Sequence, residues 1–191
     1  MAEIERRLYT PVFRLAFPAL FEPREFRGQT KYGLEAVFDS DADLSKMKKV
    51  AEQVAREKWG KKLPAKFRSP FINGNAINER RIAEDKNPRP ELENATLMRF
   101  RSTNKPDICK RNRHVKAEES EVYSGRLARA SVYCFAYDDG VTFLLNNVQI
   151  FEEDGVCWGG APLSAANDFN DEISQPSEAQ AEFSDEDDIP W

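Results

Sequence analysis

The 191-residue sequence lacks several features that mark whole classes of protein. No stretch approaches the roughly 20 consecutive apolar residues of a membrane span. The N-terminal stretch MAEIERRLYTPV carries early acids and no long apolar region, unlike a secretory signal peptide. We therefore expect a cytoplasmic protein that does not associate with membranes.

The sequence also has few cysteines and histidines, and it lacks the common motifs that bind nucleotide phosphates. The three cysteines, Cys109, Cys134 and Cys157, are odd in number and widely spaced, which favours reduced thiols. Cys109 and the single histidine, His114, have the spacing of half a zinc site, but no C-x-x-C pair accompanies them. The phosphate-binding patterns GxxxxGK[ST] and GxGxxG are absent. The sequence therefore predicts no metal and no cofactor.

Positive charge is missing from the last part of the chain. Residues 168–191 hold nine acids and no lysine or arginine, so residues 1–167 carry 24 acids against 28 bases, a net charge of about +4. Residues 56–116 alone hold 17 bases and seven acids. A basic body with an acidic tail indicates a polyanionic ligand and a tail that can imitate it. We expect one domain at 1–167 and a disordered tail at 168–191, because the tail has too little apolar surface to fold.

Hydrophobic patterns in the body predict strands and one helix. Apolar residues alternate at 8–17, 29–38, 97–102 and 127–137, and Asp138-Asp139-Gly140 predicts a hairpin turn into a strand at 141–151. In 8–17 the alternation places Pro11, Phe13, Leu15 and Phe17 on one face.

The helix is predicted between Asp41 or Asp43, as its cap, and Gly60, which ends it. From 61 to 94, prolines and the Asn73-Gly74 pair indicate loops with short strands. This inventory predicts a mainly β fold, a five-stranded OB-type antiparallel barrel with one α-helix.

The predicted strand 127–137 has two contrasting faces. One face is small, with four of its five residues alanine or cysteine, and suits close packing. The other carries arginine and aromatic side chains, including Arg129, Tyr133 and Phe135. Aromatic rings stack on any base and cations follow phosphates, so such a face binds single strands without reading sequence. The alternative is that Tyr133 and Phe135 fill the barrel interior.

Basic residues cluster in weakly patterned segments and are interleaved with aromatic residues, a mixture typical of nucleic-acid grooves. The residues predicted to bind nucleic acid are Lys31, Trp59, Lys61, Lys62, Lys66, Arg68, Arg99, Arg101, Lys105, Lys110, Arg111, Arg113, Tyr123, Arg126, Arg129, Tyr133 and Phe135.

The sequence is also compatible with two other functions, a nuclease and a protein-binding scaffold. Carboxylates at the predicted turn and strand end, Asp138, Asp139 and 152–154, could hold Mg²⁺ in a nuclease. A scaffold that binds only proteins could use its acidic tail as a DNA mimic.

The final residues DEDDIPW resemble the C-terminal tip of bacterial single-stranded DNA-binding proteins, an acidic run that ends in Ile-Pro-Phe. This chain has Trp191 in place of the phenylalanine and keeps a terminal aromatic ring. The resemblance implies recruitment of replication and recombination proteins through Asp185, Glu186, Asp187, Asp188, Ile189, Pro190 and Trp191.

The body resembles the small OB-fold single-stranded DNA-binding proteins of tailed bacteriophages. The matching segments are KPDIC (105–109), VYSGRLARASVYCFAY (122–137) and GVTFLLNNVQIF (140–151), in that order. The resemblance implies a protein without catalytic activity that coats single-stranded DNA in phage replication, recombination and repair, in the host cytoplasm. A homodimer is one of the oligomeric states that the sequence leaves open.

Overall fold

The structure, a computed structural model, describes residues 4–26, 28–151 and 157–158. In chain order, the strands and helices are β1 (Arg7–Tyr9), β2 (Phe13–Phe26), β3 (Gln29–Phe38), α1 (Ser45–Trp59), β4 (Ile72–Asn73), α2 (Gly74–Ala83), β5 (Thr96–Ser102), β6 (Asp107–Cys109), β7 (Leu127–Tyr137) and β8 (Gly140–Ile150). Short 3-10 helices occur at Pro90–Leu92 and Glu119–Glu121.

Five of the strands close into a barrel. Antiparallel ladders join β2 to β3, β3 to β5, β7 to β8 and β7 to β2, and a parallel contact between β5 and β8 completes the circle. Strands β1, β4 and β6 extend the sheet beside β7, β5 and β8. The predicted mainly β, OB-type barrel is confirmed.

Aromatic side chains form the centre of the barrel. Phe13 meets Phe38 edge to face, with 5.4 Å between ring centroids, and Phe100 at 6.1 Å. Helix α1 contributes its apolar face to the same core, through Met47, Val50, Ala51, Val54 and Ala55. The predicted helix is confirmed, and Gly60 ends it with φ 65°. Asp43 accepts a hydrogen bond from the Ser45 amide at 2.9 Å, just before the first turn.

Strand β7 has the predicted bounds and the predicted faces. Its small side chains point into the barrel and are fully buried, from Ala128 to Cys134. Tyr133 and Phe135 point outward and are 38% and 43% exposed. Their exposure excludes the alternative in which they fill the barrel.

The segment 61–94 contains a second helix, α2, which the sequence analysis did not predict. The Asn73 side chain accepts hydrogen bonds from the Asn75 and Ala76 amides and so caps the helix, whereas an Asn-Gly pair usually indicates a turn. Within α2 only Gly74 is buried, so the sequence shows no apolar stripe. A Cβ atom on Gly74 would lie 2.1 Å from the Leu92 carbonyl oxygen, so only glycine fits at this contact.

A small second core lies on the outer surface of the barrel, beside α2. It consists of Ala16, Val37, Leu92, Ala95 and Leu97. Within the described part of the chain, this core covers one end of the outer face of β3 and β5 and leaves the other end open. No helix within the described ranges is long and apolar enough to cross a membrane.

Candidate nucleic-acid interface

A groove of about 820 Å³ lies on the open part of the β3 and β5 outer face. Its walls are the beginning of β8, the end of β7 and the segment 68–70. Four basic residues and one acid line it, so its charge is positive. The lining residues are Lys31, Glu35, Arg68, Ser69, Pro70, Ile72, Arg99, Arg101, Tyr137, Val141, Thr142 and Leu144.

The floor of the groove is formed by pairs of residues across the β3–β5 ladder. Glu35 lies opposite Arg99, and Gly33 lies opposite Arg101. A Cβ atom on Gly33 would be 2.7 Å from the Phe100 carbonyl oxygen and 3.1 Å from the Arg101 side chain. The missing side chain therefore lets Arg101 lie close over β3.

Glu35 is the carboxylate at the centre of this floor. It accepts hydrogen bonds from Arg99 Nε and from Arg89 Nη1, both at 2.8 Å. Burial alone raises the pKa of Glu35, but the two arginines outweigh it and hold the pKa below its ordinary value of 4.5. Glu35 therefore stays ionised and fixes Arg99 in the groove.

The wall at the β7–β8 turn is tied to the preceding loop by Arg68. The Arg68 amide donates to the Asp139 carbonyl oxygen at 2.8 Å, and Arg68 Nε pairs with the Asp139 carboxylate at 2.9 Å. The Val141 amide in turn donates to the Arg68 carbonyl oxygen at 3.2 Å. These contacts hold the segment 68–70 against the β7–β8 turn.

Exposed apolar and aromatic residues continue the groove along β8 and β7. Leu144, which is 39% exposed, lies next to Arg101 through the β5–β8 contact and opposite Tyr133 in the β7–β8 ladder. Phe135 follows on the same face of β7, opposite Thr142. One surface thus passes from cationic to aromatic side chains across four neighbouring strands.

This position is the one that OB-type barrels use for ligands. Their second and third strands, with the loops after the first and fourth strands, bind oligonucleotides and oligosaccharides. Here β3 and β5 are the second and third barrel strands, and the β7–β8 turn follows the fourth. Chemically, the cations can neutralise phosphates while the rings stack on unpaired bases.

The structure brings six of the predicted residues together on this surface: Lys31, Arg68, Arg99, Arg101, Tyr133 and Phe135. Trp59 instead packs edge to face on Phe67, at 5.8 Å, with the Lys58 ammonium 5.1 Å from its ring. Lys61, Lys62 and Lys66 lie exposed in the loop that follows α1.

The other predicted residues engage partners within the fold. The Arg126 guanidinium lies 5.3 Å from the Tyr123 ring, and Lys105 lies 5.7 Å from the Phe21 ring. Arg129 donates to Gln149 at 2.6 Å. Three more predicted residues lie in the loop that follows β6. Lys110 pairs with Glu121 at 2.6 Å, and the Arg111 carbonyl accepts a hydrogen bond from the Gln149 side chain. Arg113 donates a hydrogen bond to His114.

The structure also bears on the metal-dependent alternatives. Among the described residues, no three His, Cys, Asp or Glu side chains come close enough to hold a metal ion. Burial raises the pKa of Cys134 to about 12, so this inward-facing thiol stays protonated. Asp139, a ligand in the nuclease hypothesis, pairs with Arg68. Residues 152–154 lie outside the described part.

Sequence reasoning missed Leu144, Thr142, Gly33 and Glu35 as parts of this surface. The available signal was the apolar Leu144 at an outward position of β8, in alternation with the inward Phe143 and Leu145. The residues 168–191, including the predicted partner-binding positions from Asp185 to Trp191, lie outside the described part of the chain.

The chain as a whole is similar to known phage proteins. A family model described as "Enterobacter phage Enc34, ssDNA-binding protein" matches residues 6–183. Protein p50 of Acyrthosiphon pisum secondary endosymbiont phage 1 is 31% identical over 169 residues, which cover 83% of this chain and 89% of p50.

Two solved structures show the same fold at low sequence identity. One is the single-stranded DNA-binding protein of bacteriophage Enc34 in complex with single-stranded DNA. It has a TM-score of 0.59 and 15% identity, over 83% of this chain and 90% of that one. The other is gp2.5 of bacteriophage T7, a single-stranded DNA-binding protein. It has a TM-score of 0.54 and 10% identity, over 85% of this chain and 99% of that one.

We predict that replacing Glu35 with glutamine reduces stability at neutral pH by about 1–3 kcal/mol, because hydrogen bonds to a charged group are lost. The folded-state pKa is below 4.5, so this contribution is fully present above about pH 4.5 and fades as the pH falls through the lowered pKa. Denaturant unfolding of both proteins at several pH values measures the difference. Glu84→Gln, at an exposed ion pair with Lys86, is the control and should change little. An equal difference at pH 7 and pH 3 would contradict the role of the ionised carboxylate.

Proposed function

Because the chain belongs to the Enc34 single-stranded DNA-binding family, we propose that it binds single-stranded DNA without reading its sequence. The observation that carries the proposal is the continuous outer surface on which Arg101, Leu144 and Tyr133 are neighbours across β5, β8 and β7. Cations at one end and aromatic rings at the other suit a strand whose phosphates and bases are both accessible.

The two halves of the surface have different tasks. Lys31, Arg99 and Arg101 attract and neutralise phosphates, an interaction that weakens with salt because bound counterions are released. Tyr133 and Phe135 offer ring faces to bases, and such stacking tolerates every base because each has a π face. Paired bases in a duplex cannot reach these rings, so the protein prefers single strands.

Binding of this kind is an equilibrium that makes and breaks no covalent bond. The family is one of DNA-binding proteins rather than enzymes, in agreement with the expectation of a protein without catalytic activity. The protein thus coats single strands that are exposed during phage replication, recombination or repair in the host cytoplasm.

The acidic tail supplies a second function, the recruitment of proteins. Ile189, Pro190 and Trp191 follow four acids, an order that suits a partner pocket for the ring beside basic residues. The same nine acids can also compete with DNA for the basic groove, since they are tethered to it.

We predict a log–log salt slope of about −3 for single-stranded DNA, from about four phosphate contacts at −0.7 each, and weaker binding to duplex. Exchanging Lys31 and Arg101 together for glutamine should make the slope shallower by about 1.4. The control removes the same charge at Lys46 and Lys49, which are exposed on α1 and do not line the groove. Fluorescence titration with oligo-dT at several salt concentrations measures each slope. Equal slopes for the two double variants would exclude the groove as the phosphate site.

Tyr133→Ala should weaken single-stranded DNA binding by about 1–3 kcal/mol and leave the salt slope unchanged, because it removes a stacking ring but no charge. Its thermal midpoint should stay close to that of the wild type, since the residue lies on the outer face of the barrel and is 38% exposed. Tyr133→Phe keeps the ring and should bind normally. The role in stacking is disproved if the alanine variant binds as tightly, per folded molecule, as the wild type.

Removing the tail should strengthen DNA binding. A chain that ends at Phe169 loses eight of the nine acids and should bind single strands more tightly, with the larger gain at low salt, where screening is weakest. Deleting only Trp191 should leave DNA affinity unchanged but reduce the capture of host replication proteins in a pull-down. No gain for the long truncation at low salt would rule out competition, and an undiminished pull-down would rule out Trp191 as the anchor.

A further inference from the structure

Strand β2 has an irregularity at Phe17 that the predicted alternation does not account for. Ala16 lies opposite Glu35 and Ala19 opposite Gly33, so β2 has one residue more than β3 between these pairs. This is a β-bulge, and such bulges commonly re-aim a side chain. Phe17 therefore leaves the buried face of Phe13 and Leu15, on which the alternation placed it, and is 53% exposed.

The backbone at Phe17 has an unusual conformation for a large side chain. Its φ is +46°, in the left-handed region that disfavours residues with a Cβ atom. Specific contacts hold it there: the Phe17 amide donates to Ser124 Oγ at 3.1 Å, and the Gly125 amide donates to the Leu15 carbonyl at 2.7 Å. Strained conformations of this kind are concentrated at functional sites.

One face of the Phe17 ring rests on a fixed cation. The Arg89 guanidinium carbon lies 4.7 Å from the ring centroid. Arg89 itself cannot move freely, because it pairs with Glu35 at 2.8 Å and with Glu91 at 2.7 Å and is only 14% exposed. The ring is thus held at a defined orientation while more than half of the residue faces solvent.

The same ion pairs join Phe17 to the groove. Glu35, which holds Arg89 on one oxygen, holds Arg99 on the other, and both Glu35 and Arg99 line the groove. A strand that passes over Arg99 would place a base beside Phe17. Along the groove, β5 and β8 lie between Glu35 on β3 and Tyr133 on β7.

We propose that Phe17 is a base-stacking residue, which takes one unpaired nucleobase on its solvent-facing side and extends the DNA path beyond Arg99 toward β2. The inference rests on the proposed function, because it names a further contact for the same ligand. A nucleobase fits better than an aliphatic ligand, because the site is a flat ring near Arg99, a cation 43% exposed that can contact the neighbouring phosphate.

Phe17→Gly in the full chain gives the sharpest test. Oligo-dT affinity should fall about tenfold or more, as expected for the loss of one stacked base, and the salt slope should not change. The thermal midpoint should hold or rise, because glycine adopts the positive φ without strain. Phe17→Tyr keeps a ring and should bind normally, whereas Phe17→Leu keeps apolar cover on Arg89 without a π face and should bind weakly. Val12→Ala, an exposed apolar position beside Asp39 and Asp41, is the control and should bind normally.

The outcomes separate this inference from the proposed function. If the wild type binds oligo-dT and Phe17→Gly or Phe17→Leu binds equally well, Phe17 does not stack a base and the proposed function stands. If Phe17→Gly instead alters sedimentation but not affinity, the ring belongs to a contact between copies and the inference is wrong. If the wild type itself fails to bind oligo-dT, the proposed function and the inference fail together.

Discussion

The parallel contact between β5 and β8 closes the barrel, and the candidate interface depends on that closure. Arg101 and Leu144 meet there. On one side of this contact the outer face is cationic, with Lys31 and Arg99, and on the other it is apolar and aromatic, with Tyr133. An open sheet with the same strands would leave the two halves at opposite edges. Closure therefore creates a surface that can hold phosphates and bases at once.

The core makes this outer face available. The inward face of β7 is small, and the space inside the barrel is filled by phenylalanines of other strands, among them Phe13, Phe100 and Phe143. The aromatic residues of β7 are consequently not needed for packing and lie on the outside. In the cationic half, Glu35 pairs with both Arg99 and Arg89. These ion pairs fix the two arginines in position before any ligand arrives.

Local patterns predicted much of the fold, and long-range contacts account for what they missed. The alternation in 127–137 identified β7 and its outward rings, because packing on a pleated strand has a period of two. No local pattern could group Lys31, Arg68 and Arg101, which meet only when the barrel closes. Trp59 looked available in the sequence but packs on Phe67. Helix α2 has no apolar stripe, and a bulge reverses the predicted orientation of Phe17.

One DNA strand should contact the surface on both sides of the β5–β8 contact. Residue-resolved NMR of the full chain during titration with oligo-dT tests this most directly. We expect the amide signals of Lys31, Arg101, Leu144 and Tyr133 to shift together, with one affinity, while those of Lys61 and Lys62, just beyond Gly60, stay unchanged. Shifts confined to the α1 surface, or to only one side of the contact, would contradict the account.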